Sequence, residues 1–131
     1  MRRAAAALLV MAVSVGGCGG DPKEETRQAV RDFVKATNER DAKRYCNDLV
    51  TKAYVEGVTG AKGSAARSVC RKQLGLQRVP KVRIVEIRKT VVHDDRAKVT
   101  TLLQAGGQSR PQVLSLRKQD GNWRIADAGG D

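Results

Sequence analysis

Reactive side chains are few in this sequence and widely spaced. It holds three cysteines, Cys18, Cys46 and Cys70, and one histidine, His93. No pair of cysteines has the C-x-x-C spacing of a redox centre, and two thiols with one histidine do not complete a metal site. His93 is the natural acid–base group near neutral pH, yet it stands beside Asp94 and Asp95 in a stretch that reads as a solvated turn. None of the carboxylates sits in a spacing that matches a catalytic pattern. The expectation is therefore no metal, no cofactor and no catalytic residue.

Cys18 has a context of its own. Arg2 and Arg3 precede an apolar stretch from Ala4 to Val15, which is too short for a permanent span needing about 20 apolar residues. Val15-Gly16-Gly17-Cys18 follows and resembles a bacterial lipobox, with small residues on the approach to the cysteine. Glycine two positions before the cysteine is less usual than alanine or serine. The reading divides the chain into a signal peptide over 1–17, a lipidated cysteine with its tether over 18–23, and one domain over 24–131. Two acyl chains on Cys18 make a stable anchor. The expected location is the outer face of the cytoplasmic membrane.

Cys46 and Cys70 then remain, an even number in an oxidising compartment. A disulfide between them would close 25 residues and stabilise the domain by about 3 to 4 kcal/mol on the chain-entropy view. Two buried free thiols are the alternative.

Positioning these residues falls to a domain with helices first and strands second. From Pro22 to about Thr37, Ala29, Val30, Phe33 and Val34 recur at helical spacing. A second short helix carries Ala42, Tyr45, Cys46, Leu49 and Val50. Tyr54 to Gly63, with three glycines, reads as a loop. Ser64 is placed to cap a third helix with Ala66, Val69, Cys70 and Leu74 inside and Gly75 near its end. After Pro80 the pattern turns to strands: Val82 to Val92, Ala97 to Gln104, Gln112 to Lys118 and Trp123 to Asp127. Turns fall at residues 93–96, at 106–109 and at Asp120-Gly121. Val82 and Ile84 are out of phase with Val85 and Ile87. Either both faces are partly buried, or a bulge near residue 84 resets the register. The fold class expected is α+β: three helices packed on a curved, four-stranded antiparallel sheet.

Val30-Arg31-Asp32-Phe33-Val34, Asn38-Glu39-Arg40-Asp41-Ala42, Tyr45-Cys46-Asn47-Asp48-Leu49 and the closing Asp120-Gly121-Asn122-Trp123-Arg124-Ile125-Ala126-Asp127 carry a resemblance. With these segments the chain resembles the nuclear transport factor 2-like superfamily, and among it the small lipoproteins of high-GC Gram-positive bacteria. The resemblance covers about residues 24 to 127 and rests on packing and turn motifs. It implies a cone-shaped fold, and it makes Tyr45, Asp48, Glu86, Trp123 and Asp127 the candidates for lining the cone. An isomerase- or cyclase-like enzyme would need one of these carboxylates inside, where an apolar cavity raises its pKa, with Tyr45 or Tyr54 as a hydroxyl donor. The resemblance also implies that two copies can pair through the exposed sheet face.

The charge balance points to partners. The chain has a formal net charge of +11; without the leader's Arg2 and Arg3 it retains 23 basic and 14 acidic residues, a net +9. Residues 62–89 hold nine cations against Glu86 alone. From this run Arg67, Arg71, Lys72, Arg78, Lys81, Arg83, Arg88 and Lys89 form the expected basic face. Anionic lipids, wall polymers or an acidic protein would be attracted to it, within a screening length of about 8 Å. Nucleic acid is not expected outside the cell, and aromatics at 3% leave little to stack bases on.

Overall fold

The computed structural model describes residues 20–78 and 80–129. Cys18 and the leader lie outside them. Helix α1 (Pro22–Glu39) begins where Asp21 accepts the Lys23 N–H, with Pro22 in the first turn and Glu24 and Glu25 at its positive end. Pro22 and Lys23 are helical, in agreement with the helix expected from Pro22, and the tether expected over 18–23 overlaps it there. Arg40 ends the helix in a left-handed conformation. Val30, Val34 and Ala36 form the buried stripe.

Helix α2 (Ala42–Arg44) continues without a break as a π-helical turn, Tyr45–Leu49. This segment buries Cys46 and Leu49. Val50 then leaves it in extended conformation and bridges in parallel to Ile125.

The stretch expected as a loop is instead helix α3 (Lys52–Thr59), so there are four helices among the described residues where three were expected. Thr51 caps it, its hydroxyl accepting the Tyr54 N–H, while Val55 is 2% exposed. Only Gly57 lies inside the helix; Gly60 closes it at φ 72°. Of the other glycines that suggested a loop, Gly60 marks the end of this helix and Gly63 the start of the next. Helix α4 (Gly63–Leu76) starts without help from Ser64: the Glu56 carboxylate accepts the Gly63 N–H. Gly75 sits within its last turn, and Ala66, Cys70 and Leu74 point inward. The Cys46–Cys70 disulfide joins α4 to the π-helical turn across a Cα separation of 6.0 Å.

Four strands form an antiparallel meander in the order β1-β2-β3-β4: β1 (Val82–His93), β2 (Arg96–Ala105), β3 (Gln108–Gln119) and β4 (Asn122–Asp127). The middle turn is tighter than expected, with Gly106 and Gly107 both at positive φ. Asp120-Gly121 has the same conformation. The bulge expected near residue 84 lies between Ile84 and Glu86, and a second follows between Ile87 and Lys89. Val99, Leu114, Leu116 and Ile125 on the concave face meet Val30, Val50 and Val55 from the helices. Cys46, Cys70 and Trp123 join this core, and Phe33, Tyr45 and Tyr54 pack against it.

Candidate functional site

Helix α1 lies along β1, the open edge of the sheet. Two contacts fix the alignment. Near the helix end the Asn38 amide donates to the Val82 carbonyl at 2.7 Å and accepts the Val82 N–H at 2.8 Å. Near its start the Arg27 guanidinium donates to the Thr90 hydroxyl at 3.2 Å. Helix and strand therefore run antiparallel, and a furrow is left between them.

On α1 the four-residue spacing of Arg27, Arg31 and Lys35 puts three cations on one face, above the furrow. On β1, Lys81, Arg83, Arg88 and Lys89 form the opposite wall. Two hollows of 560 Å³ and 500 Å³ share Arg31 and Ile84. Val34, Val82, Ile84 and Ile87 give them an apolar floor. Seven cations face two acids of the lining, Glu39 and Glu86. Glu24, at the rim, binds Arg31 at 2.9 Å and Arg27 at 3.3 Å, and these two guanidinium groups hold its carboxyl below the usual carboxylate range. A cationic trough with an apolar base suits an anionic chain.

The run of cations over residues 62–89 is divided by the fold. Arg67, Arg71 and Lys72 are exposed on α4, which packs on α2, α3 and the π-helical turn. Arg71 donates to the Asn47 side chain. Arg78 is exposed after α4, whereas Lys81, Arg83, Arg88 and Lys89 belong to the furrow. Arg83 donates twice to Gln104, and Arg88 pairs with Glu86 at 3.3 Å. Sequence reasoning missed Arg27, Arg31 and Lys35. The signal that could have found them was their spacing on one helical face.

The cone-lining candidates separate as well. Glu86 is exposed, because the bulge before it shifts the phase so that Ile84 and Ile87 take the inward positions. Asp48 is exposed at the end of the π-helical turn, and Asp127 is exposed and accepts the Gly129 N–H. None of the three carboxylates reaches the interior. The buried polar side chains among the described residues are Thr26, Thr51 and Thr101. Tyr45 and Trp123 do pack on the core. Tyr45 stacks obliquely on Phe33 at 5.1 Å, and its hydroxyl meets that of Tyr54 at 3.2 Å. Burial, reinforced by the Tyr54 hydroxyl, pushes the Tyr45 phenol well above its ordinary pKa. Trp123 is 8% exposed; its indole N–H is buried without a partner, and Lys118 Nζ sits 6.0 Å from the ring centre. His93, expected in the turn, is instead the exposed last residue of β1, with Asp94 and Asp95 making the turn, and it contacts the Asp94 carboxylate at 3.1 Å.

No protein-family model matches the chain, and no curated protein matches it in sequence. Solved structures do match it in shape. A protein from Campylobacter jejuni described as an NTF2-like transpeptidase superposes with a TM-score of 0.49 at 14% identity, over 77% of this chain and 96% of that one. A de novo designed NTF2 fold protein, NT-9, superposes with a TM-score of 0.50 at 16% identity, over 86% of this chain and 89% of that one. The class defined by the curved meander and the helices in its concavity is the α+β cone. Within that class, the domain has the nuclear transport factor 2-like fold.

Proposed function

We propose that this protein is a lipid-anchored interaction module of the bacterial cell envelope, held by Cys18 and meeting anionic partners with its basic surface. The observation that carries the reading is the gathering of seven cations along one furrow. An enzyme working inside the cone would need a buried carboxylate, and Asp48, Glu86 and Asp127 are all exposed. Anionic lipid, wall polymer and acidic protein remain the partner classes, and a second copy on the sheet face is compatible with them.

Two experiments test the two halves. Cys18→Ser should move the protein from the membrane fraction of the producing cells to the soluble fraction; a variant still held on the membrane would remove the anchor. Replacing Arg71, Lys72, Arg83 and Arg88 together by Gln should weaken binding of the unlipidated chain to phosphatidylglycerol vesicles. The difference should shrink as salt is raised, because exposed charges are screened. Unchanged binding at low salt would remove these cations from the contact.

A further inference from the structure

We infer that the open edge of β1 is a docking edge for an extended acidic segment of another protein, which joins the sheet there as a fifth strand. The inference rests on the proposed basic interaction surface and names its partner class.

The backbone supplies the first argument. Because Val82 gives both its N–H and its C=O to Asn38, these groups face away from β2. Strand alternation turns those of Ile84 the same way. Each bulge adds one residue opposite β2 and restores the phase, so Ile87 and Thr90 also face the open edge. These are the β1 residues whose side chains lean inward and are half-buried. No backbone group of another element bonds to this edge among the described residues. The Asn38 side chain does at one end what a neighbouring strand would do along the whole edge.

Charge and chemistry select the occupant. Ile84, Ile87 and Thr90 offer donors and acceptors in alternation. The anionic groups of lipids and polymers are acceptors, and their hydroxyls do not recur at strand spacing, whereas a peptide backbone supplies both donors and acceptors in that repeat. The walls, with Arg31, Lys35, Lys81, Arg83 and Lys89, call for acidic side chains on that peptide. A second copy of this chain is disfavoured, since pairing β1 with β1 would set Arg83, Arg88 and Lys89 against their own images.

The probe is an eight-residue peptide of alternating Val and Glu, followed by fluorescence anisotropy with the unlipidated chain. Three comparisons decide the matter. Methylating the peptide nitrogens on one edge should weaken binding about tenfold or more, because the ladder bonds are lost while the charge is kept. Lys35→Gln, Lys81→Gln and Lys89→Gln together should weaken it similarly, whereas Lys52→Gln, Arg110→Gln and Arg117→Gln, exposed on α3 and β3 away from the furrow, remove the same charge and should change it less than about twofold. In the amide spectrum, Ile84, Ile87 and Thr90 should shift first. Equal binding of the methylated peptide, or equal loss in both triple variants, would overturn the strand and leave diffuse attraction. Binding to phosphatidylglycerol vesicles without binding to the peptide would overturn this inference while leaving the interaction module standing. Binding to neither would overturn both.

Discussion

Tyr45 shows how little of a residue's chemistry its identity fixes. A phenol beside an apolar cavity is a candidate oxyanion donor, but here its hydroxyl is spent on Tyr54 and its ring on Phe33. The consequence is a dependence of stability on pH. Tyr45 holds its proton more tightly folded than unfolded, so folding is unaffected below the ordinary phenol range and loses stability as pH climbs through about 10 and beyond. Denaturation midpoints measured from neutral to strongly alkaline pH should fall at the top of that range. Tyr45→Phe should flatten the fall, and an equally steep profile in the variant would assign it to other groups. Cys46 and Cys70 make the complementary case. Their pairing was legible from cysteine arithmetic and the compartment that the leader-like start led one to expect, because it needs no knowledge of geometry. Replacing both by Ala removes the cross-link between α4 and the π-helical turn together with two buried side chains, and should cost about 2 to 5 kcal/mol in urea denaturation. A loss of a few tenths of a kcal/mol would mean that the helices hold without it. Glu86 was legible only as a choice: its phase with Val82 and Ile84 allowed an inward side chain and its arginine neighbours an outward pair, and the extra residue in the strand gives the pair with Arg88.

At the scale of elements, the strands were the readable part. Asp120-Gly121 and Gly106-Gly107 announced their turns because left-handed backbone restricts the residue types that fit. The broken alternation at Val85 left a choice between two half-buried faces and a bulge near residue 84, and the register shift between Ile84 and Glu86 is the bulge. Helix α3 was hidden because glycine count outweighed position. Two of its three glycines lie outside the helix, while the Thr51 cap and the buried Val55 lie within reach of local reading. The furrow was hidden for a different reason: it needs α1 and β1 side by side, and residues 27–35 and 81–89 are far apart in sequence. Asn38 joins those two elements. It closes the exposed end of β1 with two bonds to a single residue, in a partly buried place. Asn38→Ala leaves both Val82 groups without a partner and should cost about 1 to 3 kcal/mol in thermal or urea unfolding. Amide exchange should quicken at Val82 before it does at Val99 in the middle of the sheet. Uniform quickening would mean that the bond supports the whole fold and has no local role at the edge.

Across the whole molecule the excess positive charge has two consequences that pull in different directions. Under the proposed function it would draw anionic partners to the α1–β1 furrow, and it would keep a bare sheet edge from pairing with its own copy. Edge strands are protected in solution by charges and by bulges, and β1 has both: Arg83, Arg88 and Lys89 are exposed along it, and its ladder is interrupted twice. The opposite edge needs less protection because Val50 already bridges to Ile125 on β4 and the Ile125 carbonyl accepts the Thr51 N–H. The domain is thus closed on one side and guarded by charge on the other. Replacing Arg83, Arg88 and Lys89 by Thr keeps good strand formers on the edge and removes the repulsion. That variant should associate as its concentration rises, with sedimentation velocity showing a dimer or larger species where the parent chain sediments more slowly. Association should be strongest at low salt in neither protein, since the parent's barrier is itself electrostatic: added salt should bring the parent towards the variant's behaviour. If the triple variant sediments as the parent does at every concentration and salt, the bulges alone guard the edge. The cations of β1 would then be free of a protective role, and their presence beside an apolar floor would have to be explained by what they bind.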